Sequence, residues 1–119
     1  MVNRAFFGKT TCLKIQYNNG TIYFHMGKKE GEKWLWDKVK MGDAECGEIV
    51  RVINGKQDKA AFFHQFGDNS NKIWVNKTDD AVFVKINDVS KGLTGGEQEV
   101  FRIILERLIF DSASHAKDI

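Results

Sequence analysis

Proline is missing from all 119 residues, and cysteine occurs only twice. With no proline, and no Gly/Ser tract longer than a turn, nothing reads as an interdomain linker. The sequence therefore predicts one domain over residues 1–110, with a loosely held tail over 111–119. A chain of this size buries roughly two thirds of its extended-chain surface and needs no disulfide staple. Cys12 and Cys46 lie far apart with no histidine at ligand spacing, which excludes a disulfide framework and a zinc site. Long apolar runs are also lacking: none approaches the roughly 18 residues that would span a bilayer, and the N-terminus is too short for a signal-peptide core. A soluble, intracellular, cytoplasmic protein is expected, with no membrane contact and with nucleoid association compatible. Excess charge of one sign is absent too. The formal net charge is only +2, so the protein cannot work by bulk electrostatics, and the placement of its lysines matters instead.

What the chain does contain is an internal echo. A shift that lays Glu48-Ile49-Val50-Arg51-Val52-Ile53 on Glu99-Val100-Phe101-Arg102-Ile103-Ile104 also lays Ile22-Tyr23-Phe24 on Ile73-Trp74-Val75, and Leu35 on Ile86. Two copies are too few for a solenoid, so the expectation is a pseudo-duplicated domain with repeat units of about 9–55 and 60–110.

Residues 10–17 and 20–27 alternate with period 2, and Asn18-Asn19-Gly20 between them suits a tight hairpin. A third strand is expected over about 33–38. From Asp43 to Asn54 the apolar residues Cys46, Ile49, Val50 and Ile53 recur at helical spacing, with acids in the first turn and Asn54-Gly55 as a stop. The second half predicts strands near 60–67, 72–77 and 81–87, with Asp79-Asp80 in a turn. A second helix should open at Thr94, capped by its hydroxyl and the Glu97 carboxylate. That helix carries Val100, Phe101, Ile104, Leu105 and Leu108 on one arc and Ile103 with Phe110 on another. The second stripe implies either deep burial or an oligomer contact. The fold class is thus α+β, with helices packed on one side of twisted antiparallel sheets.

Alternation along a strand assigns side chains to faces. Leu13, Ile15, Tyr17, Ile22, Phe24, Met26, Ile73, Val75, Val82, Val84 and Ile86 form the inward set, and Leu35 joins them by its match to Ile86. The outward set holds Lys14, Gln16, Thr21, Tyr23, His25, Lys72, Trp74, Asn76, Phe83, Lys85 and Asn87, together with Trp34 and Trp36. Large aromatics mixed with lysines and amides suit unpaired nucleic acid, because bases stack on rings while ammonium groups neutralise phosphates. The competing reading makes the tryptophans anchors of a protein interface or a second packed layer. Tyr23 and Trp74 fall on each other in the shifted register, which favours them as a duplicated stacking position. Lys28, Lys29, Lys56 and Lys59 read first as solvated turn residues and second as phosphate contacts.

Catalysis finds no support. His25, His64 and His115 are scattered without a cysteine or carboxylate at a spacing that builds a nucleophile-base pair, and His64 reads as a satisfied core histidine. Leu93-Thr94-Gly95-Gly96-Glu97 lacks the lysine of a phosphate-binding loop. No cofactor and no metal is expected.

Glu45-Cys46-Gly47-Glu48-Ile49, Ala60-Ala61-Phe62-Phe63-His64 and Leu93-Thr94-Gly95-Gly96-Glu97-Gln98-Glu99-Val100-Phe101 together resemble the Whirly proteins over about residues 12–110. The trypanosomal guide-RNA-binding proteins and the transcriptional positive-cofactor fold share such units. The resemblance implies single-stranded nucleic-acid binding across exposed sheets and assembly through helices into a dimer or tetramer. The chain departs from the plant pattern: Gln65-Phe66 stands where Asp-Pro is expected, and the lysine-glycine-lysine-alanine-alanine strand is absent. Site residues therefore rest on strand faces alone. The expected function is single-stranded DNA binding with low sequence specificity, in genome maintenance or transcription, by a homo-oligomer joined through the C-terminal helix. The alternatives are an RNA-binding protein of the same fold and a protein-interaction module.

Overall fold

In the computed structural model, which describes residues 2–115, eight strands and two helices follow one another in two equal runs. Strands β1 (Val2–Phe7), β2 (Thr11–Asn18), β3 (Thr21–Glu30) and β4 (Lys33–Met41) precede helix α1 (Asp43–Ile53). Strands β5 (Lys59–Phe66), β6 (Asn69–Lys77), β7 (Ala81–Ile86) and β8 (Val89–Thr94) precede helix α2 (Gly95–His115). Each run makes an antiparallel meander whose strands pair in chain order.

Local chemistry explains most boundaries. Asn19 at φ 50° and Gly20 at φ 81° supply the two left-handed residues of the β2–β3 hairpin. In front of α1, extended Gly42 donates its N–H to Glu45 Oε1 at 2.9 Å, so the acid three residues on closes the helix start. At the other end Gly55 turns at φ 74°, and Lys77 Nζ donates to the Ile53 carbonyl at 2.8 Å, satisfying one orphan acceptor of the last turn.

The inward faces of both sheets and the two helices share one core. Phe101 of α2 is its keystone. It is fully buried, edge-on to Phe6 at 6.0 Å and tilted against Phe24 at 6.0 Å, and so ties α2 to the first sheet. Strand β8 meets β2 and β3, which brings the two sheets together, while α1 packs on α2.

Several expectations need correction. Strands β1 and β8 carry weak strand signals and were not expected. Each is held by pairing: β1 along β2 from Val2 opposite Tyr17 to Phe7 opposite Cys12, and β8 along β7. Each repeat therefore has four strands rather than three, and the shifted register is out of step with the topology. By strand order and pairing, Tyr23 of β3, opposite Gln16, stands where Phe83 of β7 stands, opposite Asn76. The equivalence of Tyr23 with Trp74 does not hold; Trp74 corresponds to Lys14. Loops of unequal length mean that no single shift can serve every element. The echo that does obey the topology is Ala5-Phe6-Phe7 of β1 with Ala61-Phe62-Phe63 of β5.

Leu35, expected inward, is 53% exposed. Its parity is that of buried Val39 and Met41, but burial on β4 is confined to the end of the strand, and its first residues are largely exposed. The Glu97 carboxylate lies 3.6 Å from Lys91 Nζ, an ion pair rather than the expected cap on Thr94. Residues 111–115, expected to be loosely held, continue α2 as far as His115, and Ser112 Oγ donates to the Gly20 carbonyl at 3.3 Å. Residues 116–119 of that expected tail lie outside the described residues.

Candidate nucleic-acid interface

Ladder pairing fixes which side chains share a face, because residues opposite each other point the same way. On the outer face of the first sheet, one row is Asn3, Gln16, Tyr23 and Lys40, the next Ala5, Lys14, His25 and Lys38, and the third Phe7, Cys12, Gly27 and Trp36. Trp34 follows beside Lys29. On the second sheet the rows are Lys59, Asn76, Phe83 and Gly92, then Ala61, Trp74, Lys85 and Ser90, then Phe63 and Lys72. Of the thirteen residues expected on the outward side, Asn87 lies instead in the turn between β7 and β8 at φ 55°, its side chain bonded to Asn71 and to the Lys72 N–H. Thr21 opens β3 opposite Asn18, and the eleven expected site residues are all found outward. They fall on two separate sheets: Lys14, Gln16, Tyr23, His25, Trp34 and Trp36 on the first, Lys72, Trp74, Asn76, Phe83 and Lys85 on the second.

Among the described residues, neither face carries a carboxylate on its strands. Lys14, Lys29, Lys38, Lys40, Lys59, Lys72 and Lys85 are the charged residues that alternation turns outward, with His25 among them. The chain holds 16 acids, and those within strands, such as Glu30 and Asp37, fall on the opposite parity. A nearly neutral protein thus presents two purely cationic sheet faces, which concentrates its field where the aromatics are. Lys59, read first as a turn residue, opens β5 and belongs to this set.

The first face is internally organised. Trp34 stacks on Trp36 with centroids 5.8 Å apart, Phe7 meets Trp34 edge-on at 6.0 Å, and the Trp36 ring lies against the Gly27 backbone. A Cβ at Gly27 would come within 2.7 Å of that ring, so only glycine seats it. In the same row Cys12 is fully buried, and burial raises its thiol pKa against the lowering pull of Lys14 and Lys91. Lys38 Nζ sits 4.3 Å above the Tyr23 ring, and Lys14 Nζ 5.6 Å from Trp36. Such cation–π contacts contribute roughly 0.5–1 kcal/mol at exposed sites. His25 shares a hydrogen bond with Gln16 Oε1 at 3.0 Å; burial, then Lys14 and Lys38, push its pKa below the ordinary value.

The rings of the second face do not stack on one another in the way Trp34 and Trp36 do. Phe63 is 57% exposed, Trp74 38% and Phe83 37%. Phe83 rests on Gly92 as Trp36 rests on Gly27, since a Cβ at Gly92 would meet the ring at 2.9 Å. Phe7 and Phe63 were not among the expected site residues, although the repeated Ala-Phe-Phe triplet marks both. His64 is half-buried and bonded to Glu45 Oε2 at 2.6 Å, a structural link between β5 and α1. Among the described residues no three His, Cys, Asp or Glu side chains gather as a metal site, and no helix is long and apolar enough to cross a membrane.

No family profile matches the sequence, and no curated protein does either. Solved structures do. The chain is similar to the plant transcriptional regulator PBF-2 with a TM-score of 0.74 and 12% identity, over 95% of this chain and 82% of that one. It is also similar to Trypanosoma brucei MRP1/MRP2, with a TM-score of 0.69 and 8% identity, over 98% and 96% of the two chains. At such low identity the likeness is one of fold. Two four-stranded antiparallel sheets, each followed by a helix and with the helices packed together, give this chain the Whirly-like α+β fold.

Proposed function

We propose that the protein binds single-stranded DNA with little sequence preference, as a binding protein of genome maintenance or transcription rather than an enzyme. The observation that carries this is the pair of outer sheet faces on which every charge is a lysine or His25 and every large apolar group is a ring. Rings accept unpaired bases of any identity at about 1–3 kcal/mol each, and the lysines neutralise phosphates without reading sequence. A duplex keeps its base faces hidden and offers these rings nothing. The fold shared with a transcriptional regulator supports the same reading.

Titration of labelled oligonucleotides tests it. Single-stranded DNA should bind, duplex of the same sequence should bind far more weakly, and added salt should loosen the complex through counterion release. An RNA strand of equal length measures the preference between sugars. Trp74→Ala should lower affinity and leave the fold intact, because the ring is turned outward. Equal binding of duplex and single strand, or a large stability loss with affinity unchanged, would refute the assignment.

Assembly through α2 belongs to the same proposal. Ile103 is 53% exposed and Phe110 68%, so the second apolar stripe stays uncovered in one chain and suits a copy of itself. Light scattering should give a dimer or tetramer that Ile103→Glu with Phe110→Glu reduces to a monomer.

A further inference from the structure

The second sheet carries its rings in an order that the first does not. Phe63 lies on β5; Trp74 on β6 is paired with Ala61, two residues from Phe63; Phe83 on β7 is paired with Asn76, two residues from Trp74. Each step moves one strand across and two residues along, so the three rings form a diagonal. Lysines run beside it: Lys72 is opposite Phe63, and Lys85 is opposite Trp74. With about 4.8 Å between strands and about 3.4 Å per residue, one step is roughly 8 Å.

Hollows flank the middle ring. One of about 290 Å³ is lined by Ala61, Phe63, Lys72 and Trp74, and another of about 720 Å³ by Lys59, Trp74, Asn76 and Lys85. Lys85 Nζ stands 5.3 Å from the Trp74 ring, a cation–π contact.

Resting on the strand-binding reading above, we infer that this diagonal is a three-nucleotide site, in which successive splayed bases take Phe63, Trp74 and Phe83 while Lys72 and Lys85 hold the phosphates between them. A step of roughly 8 Å is more than twice the about 3.4 Å rise of a stacked strand, so neighbouring bases must unstack to use adjacent rings. Phosphate arrival draws Lys85 off Trp74 and frees that ring for a base. The first sheet cannot offer the same ladder, because Lys14 stands where Trp74 stands, and Trp34 and Trp36 stack on each other. Gly92 acts as a positioning residue by seating Phe83.

The experiment uses the full chain carrying Trp34→Phe and Trp36→Phe, so that Trp74 is its single tryptophan, titrated with oligothymidylates of increasing length. Emission should be quenched, and affinity should climb steeply up to three nucleotides and more slowly beyond. In the native background, Phe63→Ala, Trp74→Ala and Phe83→Ala should each weaken binding of a long oligothymidylate about tenfold or more while the protein stays folded at the assay temperature. Gly92→Ala should reproduce the Phe83→Ala loss, and Phe66→Ala, an exposed ring off the diagonal, should bind as the native protein does. Native affinity in both Phe63→Ala and Phe83→Ala, with the long strand still bound, overturns the diagonal and leaves strand binding standing. Failure of the native protein to bind the long strand removes both.

Discussion

Salt dependence gives the sharpest account of how the lysines act. If Lys14, Lys29, Lys38, Lys40, Lys59, Lys72 and Lys85 all met phosphates, the slope of log affinity against log salt would approach about −5, at about 0.7 per phosphate on a single strand. Replacing Lys72 and Lys85 by Gln removes two contacts and should flatten the slope by about 1.4. Between about 50 and 200 mM salt this makes the variant about sevenfold less salt-sensitive than the native protein. The control is Arg107→Gln. Arg107 has the same charge but lies on α2, paired with Asp111 at 3.2 Å and away from both sheet faces. Anisotropy of a labelled oligothymidylate across the salt series reads all three slopes. Two results would refute the reasoning: an unchanged slope in the double variant, or a flattening of about 0.7 by Arg107→Gln, the share of one charge, which would mean that overall charge and not placement governs binding.

Three further outcomes follow from the packing and the protonation states. Phe101→Ala should cost about 3–5 kcal/mol in chemical denaturation, because it empties the junction between Phe6 and Phe24; a loss below about 1 kcal/mol would show that α2 is not anchored there. His25 is held below its ordinary 6.5 in the folded chain, so the unfolded chain takes up the proton first as pH falls. The stability His25 gives at neutral pH should therefore be lost as pH drops below about 6.5 toward the lowered folded value, and His25→Gln should lessen that loss in melts taken across the range. Burial, with Glu45 and Asp43 adding to it, pushes the Cys46 thiol up to about 12, and Cys12 is raised by burial as well. Neither thiol should react with a disulfide reagent at about pH 8 until denaturant is added, and fast labelling of the native protein would show an open path to one of them.

The faces of the strands were legible because a period of two is a property of the extended chain itself. Once Ile22, Phe24 and Met26 are committed to the core, Tyr23 and His25 have nowhere to go but outward. The same logic placed Trp74, Phe83 and Lys85, and the hairpin at Asn19-Gly20 was legible because few residue pairs accept two left-handed conformations. Helix α1 was written in its spacing and its acids.

Strand β8 was not legible, since Val89-Ser90-Lys91-Gly92-Leu93-Thr94 has little strand preference and owes its form to β7 beside it. The true equivalence of the two halves was hidden because alignment without gaps cannot cross loops of different length. Sequence alone determined which residues face away from the core, for that depends on neighbours along the chain. Tertiary structure decided which of them stand side by side, for that depends on strand order and register. Phe63, Trp74 and Phe83 are scattered in sequence and become a diagonal only when β5, β6 and β7 pair.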